Sequence, residues 1–223
     1  MPKFVIANID KVNSAQTFQP HRIGVDETPI DPNAELTYVA QVFFSAGDEL
    51  DLYVPAEILN EARAKYVYFD LALYPFFAGV KNAVGDQEKS GVVRFRRTGL
   101  ESKLVGDIYV LSKLFGKPSQ THVKIREIER KAHIIVLLKF GQSIMAHIEF
   151  TTGGNERLEF EYSSPQQIIE FDSDEMRPVL PTTKTKLPLM YTVDAITETA
   201  VEITDELKQE LQAIEQLLGG VVI

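Results

Sequence analysis

The chain has 223 residues and a 44% hydrophobic composition, enough for one large domain or two small ones with a real core. Its formal net charge of −9 repels phosphate backbones and argues against nucleic acid as a partner. With no cysteine, disulfides, thiolate catalysis and cysteine-based metal sites are excluded, and His21, His122, His133 and His147 show no metal-ligand spacing.

Phe4 to Ile9 reads as a buried strand, and its apolar run is too short for a signal-peptide core. Residues 10–35 are polar and carry Pro20, Pro29 and Pro32, which makes them loop-rich. Leu36 to Phe44 reads as a second strand, closed by Ser45, Ala46, Gly47 and Asp48. Pro55 to Ala64 reads as a short helix with proline in its first turn. Tyr66 to Leu71 reads as a strand. Pro75 then opens a helix whose apolar face is Phe76, Phe77, Val80 and Val84, with Gly85 as its stop.

After residue 90 the pattern changes. Gly91 to Arg97 alternates as a strand does. Leu104, Ile108, Leu111 and Leu114 recur at helical spacing, so a helix is expected over 103–115, with Gly116 as a left-handed cap and Pro118 beyond it. Strands follow without intervening helices at about 120–129, 132–140, 143–151, 156–162 and 167–172, an antiparallel meander. Gly153, Gly154 and Asn155 suit a hairpin turn. Leu158, Phe160 and Tyr162 point one way and Arg157, Glu159 and Glu161 the other, as in a sheet covered by helices on one face. The strand around His133 to Phe140 is apolar on both faces, leaving Ile135 and Leu137 exposed unless something covers them. Residues 178–188, with Pro178, Pro181 and Pro188, suggest an extended arm. The last helix is capped by Thr204 or Asp205, faces inward with Leu207, Leu211, Ile214 and Leu218, and ends at Gly219-Gly220. The acidic residues Glu198, Glu202, Asp205 and Glu206 suit its N-terminal dipole.

Several segments resemble the C-terminal domain of the Gfo/Idh/MocA oxidoreductases. Phe76 to Gly85 followed by Gly91 to Arg96 is similar to that family's helix and first sheet strand. Leu104 to Gly116 resembles its catalytic helix, Phe140 to Phe150 its glycine-turned hairpin, and Gln167 to Ser173 a later strand, so the likeness covers roughly residues 65–220. The resemblance implies a Rossmann domain binding NAD(P), followed by an open-sheet domain that forms subunit interfaces. The departures are chemical. Asn8 to Ser14 stands where the family's GxGxxG loop would follow the first strand, and no GxG occurs in the chain. Glu88-Lys89-Ser90 is close to the family's Glu-Lys-Pro tripeptide but falls too late, and reads as a polar turn. Counting back from Gly116 puts Gly106 at the family's acid/base histidine and Tyr109 at its supporting aspartate.

A residual pocket could be built from Arg94, Arg96, Lys103, Asp107 and Tyr109, the arginines gripping an anion bidentately. The simpler readings are cross-strand pairing of Arg94 and Arg96 with Glu159 or Glu161, and Asp107 with Tyr109 on the solvated flank of a core helix. His147 and Glu149 share a strand face, with His122, Lys124 and Arg126 on a neighbouring strand, and could line a ligand groove or a subunit interface. His133, at a strand start, reads as structural.

The expected fold is α/β (α+β), with a shortened Rossmann-like part over 1–70 and a large, mainly antiparallel open sheet with helices on one face over 71–223. The expected role is a non-catalytic, cytoplasmic relative of sugar and inositol dehydrogenases, with no catalytic, cofactor-binding or metal residues. It would bind no cofactor, associate through the open sheet face, and take a small molecule or a dehydrogenase as partner. Neither nucleic acid nor membrane is expected, since no segment approaches the roughly 18 apolar residues of a span. The alternative is an active NAD(P)-dependent oxidoreductase with an atypical cofactor loop, and a sensor or regulatory subunit is a third reading.

Overall fold

The structure is a computed structural model that describes residues 3–13, 22–25, 40–43, 51–59, 64–85, 89–128, 131–176, 184–186 and 189–219. The chain divides into two compact units, residues 1–77 with 189–207, and residues 78–188 with 208–223.

In the first unit, β1 (Lys3–Ala7), β4 (Asp51–Pro55) and β5 (Tyr66–Tyr68) run parallel as neighbours, with Phe4 opposite Leu52 and Tyr53 opposite Tyr66. Val5, Ala7, Val54 and Val67 are fully buried, as strands of a parallel sheet covered on both sides require. This parallel trio is the Rossmann-like core. Where a further parallel strand would flank β1, an antiparallel hairpin of β2 (Arg22–Val25) and β3 (Ala40–Phe43) stands instead, and β14 (Val201–Glu202) closes the other edge.

Several expectations here are corrected. The first strand stops at Ala7, because Asn8 turns the chain: its Oδ1 accepts from the Asp10 N–H at 3.0 Å and a three-residue 3₁₀ turn follows at Ile9–Lys11. The helix expected from Pro55 is instead the end of β4 and a 3₁₀ turn at Ala56–Ile58. Pro55 adopts extended angles there (φ −69°, ψ 157°), and the buried Leu52-Tyr53-Val54 run prefers the sheet. The strand expected through Leu71 ends at Tyr68 and yields to α1 (Asp70–Leu73). A helix that periodicity did not reveal, α4 (Val193–Thr199), is capped by the Thr192 Oγ1, which accepts from the Ala195 N–H at 3.1 Å. Residues 36–39 and 44 of the second expected strand, the turn at 45–48, the prolines Pro20, Pro29 and Pro32, His21, and residues 60–63 lie outside the described residues.

A polar knot closes this unit. Lys11 donates to Asp70 at 2.7 Å and to the Tyr74 hydroxyl at 3.0 Å, and the Tyr68 hydroxyl donates to the Ile6 carbonyl at 2.8 Å. Tyr191 packs edge-on against Tyr68, and its backbone bonds both Lys11 and Asn13. Burial pushes the Tyr68 and Tyr191 phenols well above their ordinary value.

The second unit is one six-stranded sheet with strand order β11-β10-β6-β9-β8-β7. Its strands are β6 (Gly91–Gly99), β7 (Pro118–Ile128), β8 (Lys131–Phe140), β9 (Ile144–Thr152), β10 (Arg157–Ser163) and β11 (Ile168–Asp172). The expected meander is interrupted: β6 inserts between β9 and β10 and pairs parallel with β9, while every other neighbour pair is antiparallel. The inner face is a continuous apolar layer that includes Phe95, Val136, Ile148 and Phe160. Helix α3 (Lys103–Phe115) runs over the predicted residues, and α5 (Asp205–Leu217) follows a cap in which Thr204 Oγ1 accepts from the Leu207 N–H at 3.2 Å. A Lys113–Glu210 ion pair at 2.7 Å joins the two. Helix α2 (Pro75–Val84) stops at Gly85, φ +58°, as read. Of the expected arm, Lys184–Lys186 forms β13 against β12 (Asp174–Met176), and residues 178–183 and 187–188 lie outside the described residues, as does Gly220.

Gly116 ends α3 with φ +98° and ψ 171°, an extended glycine-only conformation instead of the left-handed one expected. A close approach occurs at Gly91 (φ +142°), where a Cβ would lie 2.1 Å from the Ser163 carbonyl oxygen. Gly91→Ala therefore combines strain with a backbone clash and should cost at least about 2 kcal/mol in denaturant unfolding. Gly79→Ala, in helix α2 with nothing within 4 Å of the added carbon, should stabilise by about 0.5–1 kcal/mol. The raised phenols set an alkaline limit. A folded pKa above the unfolded one contributes stability that is whole below about pH 10 and is lost as pH rises past it. Unfolding free energy should therefore fall above that pH, and less steeply in Tyr191→Phe.

Candidate functional site

Strand β6 sorts the arginines by parity. Val93, Phe95 and Arg97 face the buried side, whereas Arg94 and Arg96 face outward. The sequence reading missed Arg97 as a buried group. Its guanidinium contacts Asp107 of α3 and Glu156 at 2.5 Å each, and Lys103 of α3 reaches the same Glu156 at 3.5 Å. Arg97 and Asp107 are each 2% exposed, so this is a charge-balanced cluster beneath the sheet. The signal was available: Arg97 shares the parity of Val93 and Phe95.

The five residues of the expected pocket therefore do not converge. Lys103, Asp107 and Tyr109 belong to α3 on the inner side, and Arg94 and Arg96 to the outer face. Asp107 and Tyr109 are not on a solvated flank either; both are buried. Tyr109 lies beneath the Lys113 ammonium, 4.8 Å from the ring centre, and burial pushes its phenol above the ordinary value. Gly106 sits in the buried span of α3 with no side chain to offer. Lys89 donates to the Leu114 carbonyl at 2.7 Å, so the residue that superficially matched a family lysine caps the C-terminal end of α3; Glu88 lies outside the described residues.

On the outer face, Arg94 pairs with Glu161 at 2.6 Å, and Arg96 with Glu149 at 3.2 Å and Glu159 at 3.4 Å. This is the simpler, cross-strand use of both arginines. A concavity of about 630 Å³ lies here, lined by both arginines and by Glu159, Glu161, Glu170 and Asp172, so an anionic ligand would have to displace carboxylates. Arg94 and Ser163 hold the Glu161 carboxyl below its usual range, the hydroxyl contributing most. His147 and Glu149 are not on a strand adjacent to His122, Lys124 and Arg126. Strand β8 lies between them, and Leu137 faces both His147 and His122. His133 Nδ1 lies 3.0 Å from Thr151 Oγ1, consistent with a structural role. Among the described residues, no cluster of three or more His, Asp or Glu could hold a metal ion, and no helix is long and apolar enough to cross a membrane.

At the end of β1, where a Rossmann fold grips pyrophosphate on a glycine loop and a helix N-terminus, the described residues form the Ile9–Lys11 turn tied down by Asn8 and Tyr191. That turn does not fit the pyrophosphate cradle. The buried cluster generates a direct test of its own. Asp107→Ala leaves the buried guanidinium with Glu156 but without its partner on α3, and should cost roughly 3 kcal/mol in denaturant unfolding. Arg97→Met with Asp107→Leu should recover most of that loss.

No protein-family model matches the sequence. No curated relative matches it either. Solved structures do match in fold. A biliverdin reductase from Synechocystis, in complex with biliverdin and NADP+, is 10% identical with a TM-score of 0.53, over 77% of this chain and 71% of the other. A protein described as a myo-inositol dehydrogenase from Sinorhizobium meliloti is 14% identical with a TM-score of 0.50, over 75% and 69%. A myo-inositol dehydrogenase from Corynebacterium glutamicum is 11% identical with a TM-score of 0.48, and this chain spans 63% of it. One expectation is corrected by the first of these: a protein of this fold holds NADP+, which overturns the expectation of no cofactor. The first two of these likenesses give the chain the fold of the Gfo/Idh/MocA-type dehydrogenases and reductases.

Proposed function

We propose that this chain is a non-catalytic relative of the oxidoreductases whose fold it shares, acting in the cytoplasm as an oligomeric binding or regulatory protein. The observation that supports this reading is helix α3. At the position of the family's acid/base it carries Gly106, at the next Tyr109 with a phenol raised by burial, and its one carboxylate, Asp107, is locked to Arg97. A general acid or base needs reach and a pKa near the working pH; Gly106 has no side chain, the Tyr109 phenol is raised, and the Asp107 carboxylate is committed to Arg97. A nicotinamide nucleotide is a ligand to test, as are biliverdin and a full-length dehydrogenase partner. The second reading, an active NAD(P)-dependent oxidoreductase with an atypical loop, is favoured by the NADP+ held in the Synechocystis reductase.

Oligomerisation is proposed through the outer sheet face, where Leu137 is 43% and Met145 53% exposed. Two measurements test the reading. Incubation with NADPH and biliverdin, and with NAD+ and myo-inositol, should give no substrate-dependent redox change; saturable turnover would favour the second reading. Sedimentation velocity at micromolar concentration should show a dimer or larger species, and a monomer would remove the oligomeric part of the proposal.

A further inference from the structure

Strand β7 is the last strand of the six-stranded sheet, with β8 as its neighbour. A bulge falls between Ser119 and His122, but from His122 to Ile128 the strand keeps unbroken register with Leu137 to Lys131. The far edge of that stretch pairs with no strand among the described residues, so its outward N–H and C=O groups form an open ladder. Its side chains are open too. His122, Lys124, Ile125, Arg126 and Glu127 are all exposed, Ile125 at 43%. Alternation places His122, Lys124 and Arg126 on the outer side, and Ile125 and Glu127 on the other. Lys124 stands opposite Ile135 and Arg126 opposite His133, and neither cation has an ion-pair partner among the described residues, whereas Arg94, Arg96 and Arg157 all have one. On a chain of net charge −9, this edge is a local cationic strip. Cations on an edge discourage pairing with a like strand and leave pairing with an acidic one open.

We infer that β7 is a docking edge for an extended acidic segment of a partner protein, which joins the sheet as a further strand beside His122 to Ile128. This docking role goes beyond the reading above and does not rest on it, because a monomer or an active enzyme would carry the same edge. Strand addition supplies backbone hydrogen bonds, and alternate side chains supply selectivity. Successive side chains on one face of a strand lie roughly 6.6–6.8 Å apart, so carboxylates at every second position of the incoming segment meet Lys124 and Arg126 in turn. At the positions between them, an apolar side chain meets Ile125 and a polar or basic one meets Glu127. A second copy of this chain does not fit. Two-fold pairing of β7 with itself, centred on Lys124, Ile125 or Arg126, sets its cations against one another. A polyphosphate or an anionic lipid surface would satisfy the charges but leave the open ladder and Ile125 unused, which favours a peptide.

The probe is a short fluorescein-labelled peptide that alternates glutamate with valine and threonine, titrated into the full chain and followed by anisotropy. A second peptide carries lysine in place of glutamate. Two further forms carry N-methyl groups on alternate amides, one form for each edge of the peptide, and so keep every charge. The parent peptide should bind saturably. The lysine peptide and at least one N-methylated form should bind roughly tenfold or more weakly. Lys124→Glu with Arg126→Glu should lose the glutamate peptide and gain the lysine peptide, a reversal that also shows the variant to be folded. Absence of saturable binding by the parent peptide overturns the docking role. So does equal binding of both N-methylated forms, or tighter binding of inorganic polyphosphate or anionic vesicles than of the peptide. Unchanged binding of the glutamate peptide to the double variant overturns it as well. None of these outcomes bears on the turnover and sedimentation results, so the two readings fail separately.

Discussion

A buried guanidinium joins the sheet of the second unit to its central helix. Arg97 comes from β6, the strand wedged between β9 and β10, and meets Asp107 from α3 and Glu156 just before β10. Burying such charges is tolerable only because they neutralise one another. The arrangement uses the polar groups of α3 for packing. Asp107 and Lys103 belong to the cluster, and Tyr109 turns toward Lys113 and α5.

Strand β6 separates the roles of the two sheet faces by alternation alone. Every second side chain goes to the core, ending in Arg97. The others go outward, where Arg94 and Arg96 bridge the carboxylates of β9 and β10. The outer face thereby acquires a neutralised middle, and Arg157 pairs with Glu159 and Asp172 beside it. In the first unit the parallel trio β1, β4 and β5 keeps the Rossmann-like core, while the β2–β3 hairpin takes the flank and the chain leaving β1 closes onto Tyr191.

Much of the second unit was legible in the sequence, for a physical reason. Alternation is unambiguous when one face is apolar and the other charged, as in Arg157 to Ser163, and a helix bounded by Gly116 and Pro118 can hardly run further. Pairing was not legible. Nothing in the periodicity of β6 says that it inserts beside β9, because register depends on the whole sheet. The first unit was harder. Short apolar runs such as Leu52 to Pro55 fit strand and helix alike, and the proline favoured the wrong one. The candidate site was half legible. Gly106 and Tyr109 could be placed by counting along α3, but the pocket residues were drawn from both sides of the sheet. The cofactor expectation rested on a missing glycine pattern, and a solved structure of the same fold with bound NADP+ overturned it.

The central claim is that α3 is pinned to the sheet by the buried Arg97–Asp107 ion pair. Native-state hydrogen exchange over residues 103–115 tests it most directly. The account predicts amide protection equal to that of the sheet core, falling sharply for Asp107→Asn. Rapid exchange in α3 of the unmodified protein, or protection indifferent to that substitution, would contradict it.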